Sequence, residues 1–187
     1  MLIGDREDFA IEVMSEPHLK APSAVWGRMC IHVGNITLGD FTDEHCALYG
    51  AYSHLESLTT EHVPLWDNSF NGLTLEEIHD LVCDAINSDS RRDSRRYGRY
   101  NFLSNWSENF DGYASVLVQP QWETFAILHK PYLEMQSHRR LSGDFLVAKC
   151  SYNGFIHAIN DFVKWFDSET KRLTLEEAEP GIAPKLR

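Results

Sequence analysis

The sequence lacks a long apolar run, lacks closely spaced cysteines, and has only three basic residues in its first 90 positions. No stretch approaches the ~18 consecutive apolar residues that a membrane-spanning helix needs, so no membrane association is expected. The opening Met1-Leu2-Ile3-Gly4-Asp5 turns acidic at once. A secretory signal would need a basic start and an apolar stretch of about 7–15 residues. The expected location is therefore the cytoplasm, where the chain is made. Cys30, Cys46, Cys83 and Cys150 are far apart, and no two form a C-x-x-C pair. Reduced, buried thiols are expected rather than disulfides. The nine histidines are scattered, with no H-E-x-x-H and no paired Cys/His zinc spacing. G-x-S-x-G and Walker-type loops are also missing. No metal, cofactor or catalytic residue is expected from these patterns, and the chain does not read as an enzyme.

Aromatic and aliphatic residues are plentiful. Of 187 residues, 43% are hydrophobic, including ten Phe, seven Tyr and five Trp, which excludes a disordered chain. That length suits one domain with a substantial core. Charge is uneven. Residues 1–90 hold three basic and sixteen acidic side chains, a balance of −13; residues 91–187 hold fourteen and twelve, a balance of +2. Phosphate would be repelled by the first half, so no direct nucleic-acid binding is expected. A basic partner would be attracted to it.

Periodicity places the elements. Phe9–Met14 alternates as a first strand. Residues 24–33 alternate again, with Val25, Met29, Ile31 and Val33 on one face. Gly34-Asn35 signals a hairpin into a return strand over 36–41. Asp43 is placed to cap a helix over 44–59. Thr74-Leu75-Glu76-Glu77 is a capping box opening a helix over 75–88, with Leu75, Ile78, Leu81, Val82, Ala85 and Ile86 as its buried stripe. The arginine-rich stretch 91–99 reads as helix or loop. An aromatic segment over 100–112 follows, then strands near 113–119, 122–129 and 143–150. A final helix is expected over 153–171, with Phe155, Ile159, Phe162, Val163 and Phe166 at helical spacing. The expected fold is a single α+β domain over 1–175, an antiparallel or mixed sheet with helices packed on it. Residues 176–187 read as a flexible tail.

Two acidic groups are candidates for contact with a partner. Glu76, Asp80 and Asp84 fall at i, i+4 and i+8 on the outer face of the 75–88 helix, with Glu77 adjacent. No Lys or Arg within that helix pairs with them. Like charges at this spacing cost roughly 0.2–0.5 kcal/mol per pair. A partner presenting Lys or Arg would relieve that repulsion; a solvated face kept for solubility is the plainer alternative. Asp40, Asp43 and Glu44 form the second group, at the end of the hairpin. In the arginine run, Arg91, Arg95 and Arg99 would share a helical face, with Tyr97 and Tyr100 nearby as stacking groups. Pairing with the protein's own acids, or a mobile loop, fits that run better than a nucleic-acid site in so acidic a chain.

Four places in the sequence resemble the immunity protein 42 family of bacterial polymorphic toxin systems. They are Leu2-Ile3-Gly4-Asp5 with Phe9-Ala10-Ile11-Glu12; Trp26-Gly27-Arg28; Ile36-Thr37-Leu38-Gly39-Asp40; and Arg99-Tyr100-Asn101-Phe102-Leu103-Ser104-Asn105-Trp106 with Glu108 and Phe110-Asp111. Their order and spacing over most of the chain carry the likeness. The resemblance implies a cytoplasmic antidote that binds a cognate toxin domain and covers its active or substrate-binding surface. The acidic first half suits a basic toxin. Gly4, Asp5, Trp26, Gly27, Arg28, Gly39, Phe102 and Trp106 read as residues that hold the fold rather than toxin contacts. Asp40 is ambiguous between a turn cap and a contact. Two other readings remain: a small enzyme or ligand-binding domain using residues such as His32, Trp26 and Arg28, and a scaffold subunit. The oligomeric state is not set by the sequence.

Overall fold

The computed structural model describes residues 1–42, 46–60, 64–104, 106–110, 112–133, 140–141 and 144–174, with residues 108, 132–133 and 140–141 described by backbone alone. The alternating N-terminal segments form the first of two sheets. β1 (Leu2–Gly4) pairs with β2 (Phe9–Ser15), and β2 with β3 (Trp26–Val33). The far edge of β3 takes β4 (Ile36–Leu38) at one end and β5 (Cys46–Ala47) at the other. The register sets Ile11 opposite Ile31 and Glu12 opposite Cys30. Side chains alternate across a strand, so one face is apolar and the other carries Glu12, Cys30 and His32.

The second sheet comes from the later strand run. β7 (Thr124–Leu133) lies between β6 (Tyr113–Gln121) and β9 (Leu146–Ser151), with β8 (Arg140–Leu141) on its end. Every described pairing is antiparallel. The helices are α1 (Tyr49–Thr60), α2 (Leu75–Asn87), α3 (Arg91–Tyr97) and α4 (Tyr152–Thr174). α4 packs on β1 and β2 of one sheet and on β7 and β9 of the other, while α2 packs on β6 and β7. The α+β antiparallel architecture expected from the sequence is what the structure has, divided into two sheets.

Phe155 of α4 joins the layers. Its ring centroid lies 4.7 Å from Phe9, 4.5 Å from Phe125 and 6.2 Å from Phe102. One ring thus touches both sheets and the aromatic segment. Ile159, Phe162 and Phe166 continue the buried stripe, as their spacing predicts. Asp8 ties the same junction from outside, accepting from the backbone N of Ser151 at 2.6 Å and from its hydroxyl at 2.5 Å.

Several element boundaries differ from the sequence expectation. Leu2–Gly4 forms an edge strand too short for periodicity to reveal. The return strand stops at Leu38, not Phe41, because Gly39 turns the chain at φ +88°. A Cβ at Gly39 would lie 2.6 Å from Cε1 of Phe110, so the turn also needs the missing side chain. The first helix begins at Tyr49 rather than near residue 44, because Cys46 and Ala47 pair with Gly27 and Trp26. Asp43, the expected cap, lies outside the described residues, as does the tail 176–187. Arg91–Tyr97 is helical, capped by Ser90 accepting from the backbone N of Asp93.

Candidate partner-binding face

The capping box opens α2 as the sequence predicts: the Thr74 hydroxyl accepts from the backbone N of Glu77, and the Glu77 carboxylate accepts from the backbone N of Thr74 at 2.7 Å. Those hydrogen bonds, the backbone one foremost, hold the Glu77 carboxyl below its ordinary value. Ile78, Val82 and Ala85 turn inward, so Glu76, Glu77 and Asp84 face solvent and Asp80 is half-buried at the edge. One finding departs from the expectation that these acids lack a cation. Lys130 of β7 places Nζ 2.8 Å from Asp80 Oδ1 and 3.1 Å from Glu76 Oε1. The ammonium also sits 5.6 Å from the centroid of the Phe145 ring. Burial alone would push the Asp80 carboxyl up, but hydrogen bonds from Lys130 and His79 outweigh it and hold the carboxyl below its ordinary value. Burial would lower the Lys130 ammonium, and the two carboxylates raise it instead. The cation comes from a strand that pairs with β6 and β9, so no helix-spacing rule locates it. Glu77 and Asp84 have no ion-pair partner among the described residues.

The second acidic group is only partly described. Asp40 is exposed, and its Oδ1 accepts from the backbone N of Thr42 at 2.8 Å and from its hydroxyl at 2.7 Å. The hydroxyl contact and then the backbone one hold this carboxyl below its ordinary value. Asp43 and Glu44 lie outside the described residues, so nothing places them beside Asp40 or beside α2.

Immediately after α2, α3 presents the opposite charge. Arg91, Arg92, Arg95 and Arg96 line a shallow groove of about 570 Å³. Arg96 grips Asp67 with Nε at 3.1 Å and Nη2 at 2.5 Å. This pair, with the backbone N of Ser69, holds the Asp67 carboxyl far below the usual carboxylate range. Arg91, Arg92 and Arg95 have no such partner among the described residues. Arg99 falls in a 3-10 turn over Gly98–Tyr100, where it lies 4.8 Å from the Tyr100 ring centroid and donates to its hydroxyl. The arginine run therefore does not neutralise the α2 acids.

The residues expected to hold the fold divide by position. Gly4 lies at φ +94°, and a Cβ there would meet the Phe9 carbonyl oxygen and the Ala158 Cβ. Gly27 abuts the Met14 carbonyl oxygen of β2. Asp5 accepts from the backbone N of Glu7 at 2.9 Å. Phe102 and Trp106 are buried, with ring centroids 5.0 Å apart, and Phe110 continues the chain at 5.4 Å from Trp106. Arg28 lies 3.6 Å from the buried Glu16. Trp26 is instead 40% exposed at the start of β3. Strand alternation puts Trp26, Arg28 and His32 on one face of β3.

A cleft lies elsewhere. About 940 Å³ opens between α1, α4 and the β6–β7 hairpin, lined by His54, Arg99, Gln119, Trp122, Tyr152 and Asn160 among others. Trp122 at the hairpin tip is 83% exposed. Burial pushes the His54 imidazole down to about 4. The sequence reading missed this cleft because its walls come from five separate segments.

Comparison with known proteins yields two findings. The family model described as Immunity protein 42 matches residues 1–165. The fold is similar to the crystal structure of CdiI from Burkholderia dolosa AUO158, with a TM-score of 0.61 at 15% identity, covering 88% of this chain and 99% of that one. No protein of curated function matches the sequence.

Proposed function

The chain belongs to the immunity protein 42 family, and we propose that it binds a cognate toxin domain and neutralises it by covering the active or substrate-binding surface. The reading is of a non-enzymatic inhibitor acting in the cytoplasm. The observation that carries it is the family match over residues 1–165, nearly the whole described chain. Charge supports a docking face. Glu76, Glu77, Asp80 and Asp84 crowd one side of α2, and Lys130 supplies a single positive charge among them. Four carboxylates against one ammonium leave negative potential to steer a cationic toxin. Asp40, Asp43 and Glu44 are the second proposed contact group.

Co-expression with the toxin domain tests the reading. The expected outcome is rescued growth and a complex that co-purifies and weakens as salt is raised. Absence of both rescue and complex at low salt removes the proposal. The ~940 Å³ cleft favours a second reading, a pocket for a small ligand or an inserted toxin loop. Its test is Trp122→Ala, which should leave binding unchanged if α2 is the docking face and weaken it if the hairpin side is.

A further inference from the structure

Glu12, Cys30 and His32 meet on the face of the first sheet opposite its apolar one, with Cys30 and His32 buried and Glu12 partly exposed. Their register explains the meeting. Glu12 on β2 is the cross-strand partner of Cys30 on β3, and His32 lies two residues further along β3 on the same face. The three potential ligand atoms all lie within 4.8 Å of one another. Cys30 Sγ is 3.6 Å from His32 Nε2, and that nitrogen is 2.9 Å from Glu12 Oε2. Zinc–sulfur and zinc–nitrogen bonds of about 2.3 and 2.0–2.1 Å, set at a tetrahedral angle, put sulfur and nitrogen roughly 3.6 Å apart. The sulfur–nitrogen distance already matches, while the nitrogen–oxygen distance of 2.9 Å would have to open by a few tenths of an ångström.

The imidazole is also held as a ligand would be. His32 Nδ1 lies 3.0 Å from the Thr37 hydroxyl on β4, which orients the ring and leaves Nε2 directed at Cys30 and Glu12. The charged groups around the trio are Arg6, whose Nη2 lies 2.5 Å from Glu12 Oε2, and Asp40, which acts on Cys30 electrostatically. Arg6 and His32 share the same oxygen, Oε2, so metal binding requires Glu12 to turn, one oxygen to the metal and the other to the guanidinium. We propose that Glu12, Cys30 and His32 form a binding site for a divalent zinc-class cation, with water in the fourth position. Binding expels the Cys30 thiol proton to solvent, and a thiolate, a carboxylate and a neutral imidazole then surround the ion. Such an ion would clamp β2 to β3 beside the β3–β4 hairpin. The plainer alternative is a Glu12–His32 ion pair with Cys30 as a filler.

Titration of the metal-free, reduced protein with Co²⁺ tests the site. The expected result is one equivalent bound, with a thiolate-to-cobalt charge-transfer band and the intense visible bands of a tetrahedral site, all displaced by Zn²⁺. Cys30→Ala should abolish the charge-transfer band, and His32→Ala or Glu12→Gln should weaken binding by more than about tenfold. Thr37→Val should weaken it by about tenfold, through the lost orientation of the ring. Cys83→Ala is the control and leaves the spectrum intact, although Cys83 also neighbours a histidine, His79, at 3.7 Å. Glu12 is half-exposed, so Glu12→Gln keeps the test valid if Cys30→Ala folds poorly. Absence of a band in the wild-type protein, or its persistence in folded Cys30→Ala, overturns the proposal.

Discussion

Helices α2 and α3 adjoin in sequence and pack together, yet they treat charge in opposite ways. α2 crowds four carboxylates on one side and takes one cation from a distant strand, through Lys130. α3 carries four arginines, of which only Arg96 meets an acid, Asp67, among the described residues. The two helices could have neutralised each other, and in the described residues they do not. Unsatisfied charge of both signs therefore stays at the surface, α2 the more negative and α3 the more positive. Toward the cationic toxin proposed above, the α2 side is attractive and the α3 side repulsive.

Charge reversal should break that comparison most strongly. Glu76→Lys, Asp80→Lys and Asp84→Lys together should weaken the toxin complex by about a hundredfold, or about 2.7 kcal/mol by affinity arithmetic. Reversing Arg91, Arg92 and Arg95 to Glu should leave the affinity unchanged or tighten it. Equal losses from the two triple variants, read by calorimetry at matched ionic strength, would rule out α2 as the face.

Lys130→Ala should separate stability from binding. The Lys130 side chain is 13% exposed, with two half-exposed carboxylates and the Phe145 ring around its ammonium, so its loss should destabilise the fold by about 1 kcal/mol in urea. The same variant removes the only cation on the α2 acids among the described residues, so toxin association should quicken at low salt. A slower association would argue against steering by α2.

Asp67→Ala should act on the α3 side, at about 1 kcal/mol of stability. It deletes both the exposed Arg96 pair and the side-chain cap on Ser69. Affinity for the toxin should hardly move.

Acid should weaken both sides over the same window. The Asp67 and Asp80 carboxyls are each held below the ordinary aspartate value of 3.8. The unfolded chain therefore binds protons that the folded one refuses, and stability rises with pH there. Their contribution is full above the unfolded value and is lost as pH falls below about 4 through the folded values. Chemical denaturation at pH 3 to 6 should show this fall in the wild-type protein, less of it in Asp67→Ala, and less again when Lys130 is also removed.

Local chemistry made much of the fold legible. The capping box at Thr74 and Glu77, the hairpin at Gly34, the α4 stripe from Phe155 to Phe166, and the strands over 26–33 and 113–121 all follow from short-range patterns that the sequence displays. Boundaries failed where a distant partner intervened. β5 exists because Cys46 and Ala47 find β3, and β4 ends where Gly39 makes room for the Phe110 ring. The candidate sites show the same division. The α2 acids were visible from their helical spacing; the cation between Glu76 and Asp80 was not, because it arrives from position 130.

The metal-ligand trio had a faint signal, a Cys-x-His on a predicted strand, but its third member needed the strand register. By itself, then, the sequence determined the α+β class, the element types, the uneven charge and the family. Tertiary structure alone decided which charges meet, that Glu12 faces Cys30, and that a cleft opens beside Trp122. The physical reason is range: propensity, capping and periodicity act within a few residues, whereas pairing of charges and ligands depends on which distant strands the core brings together.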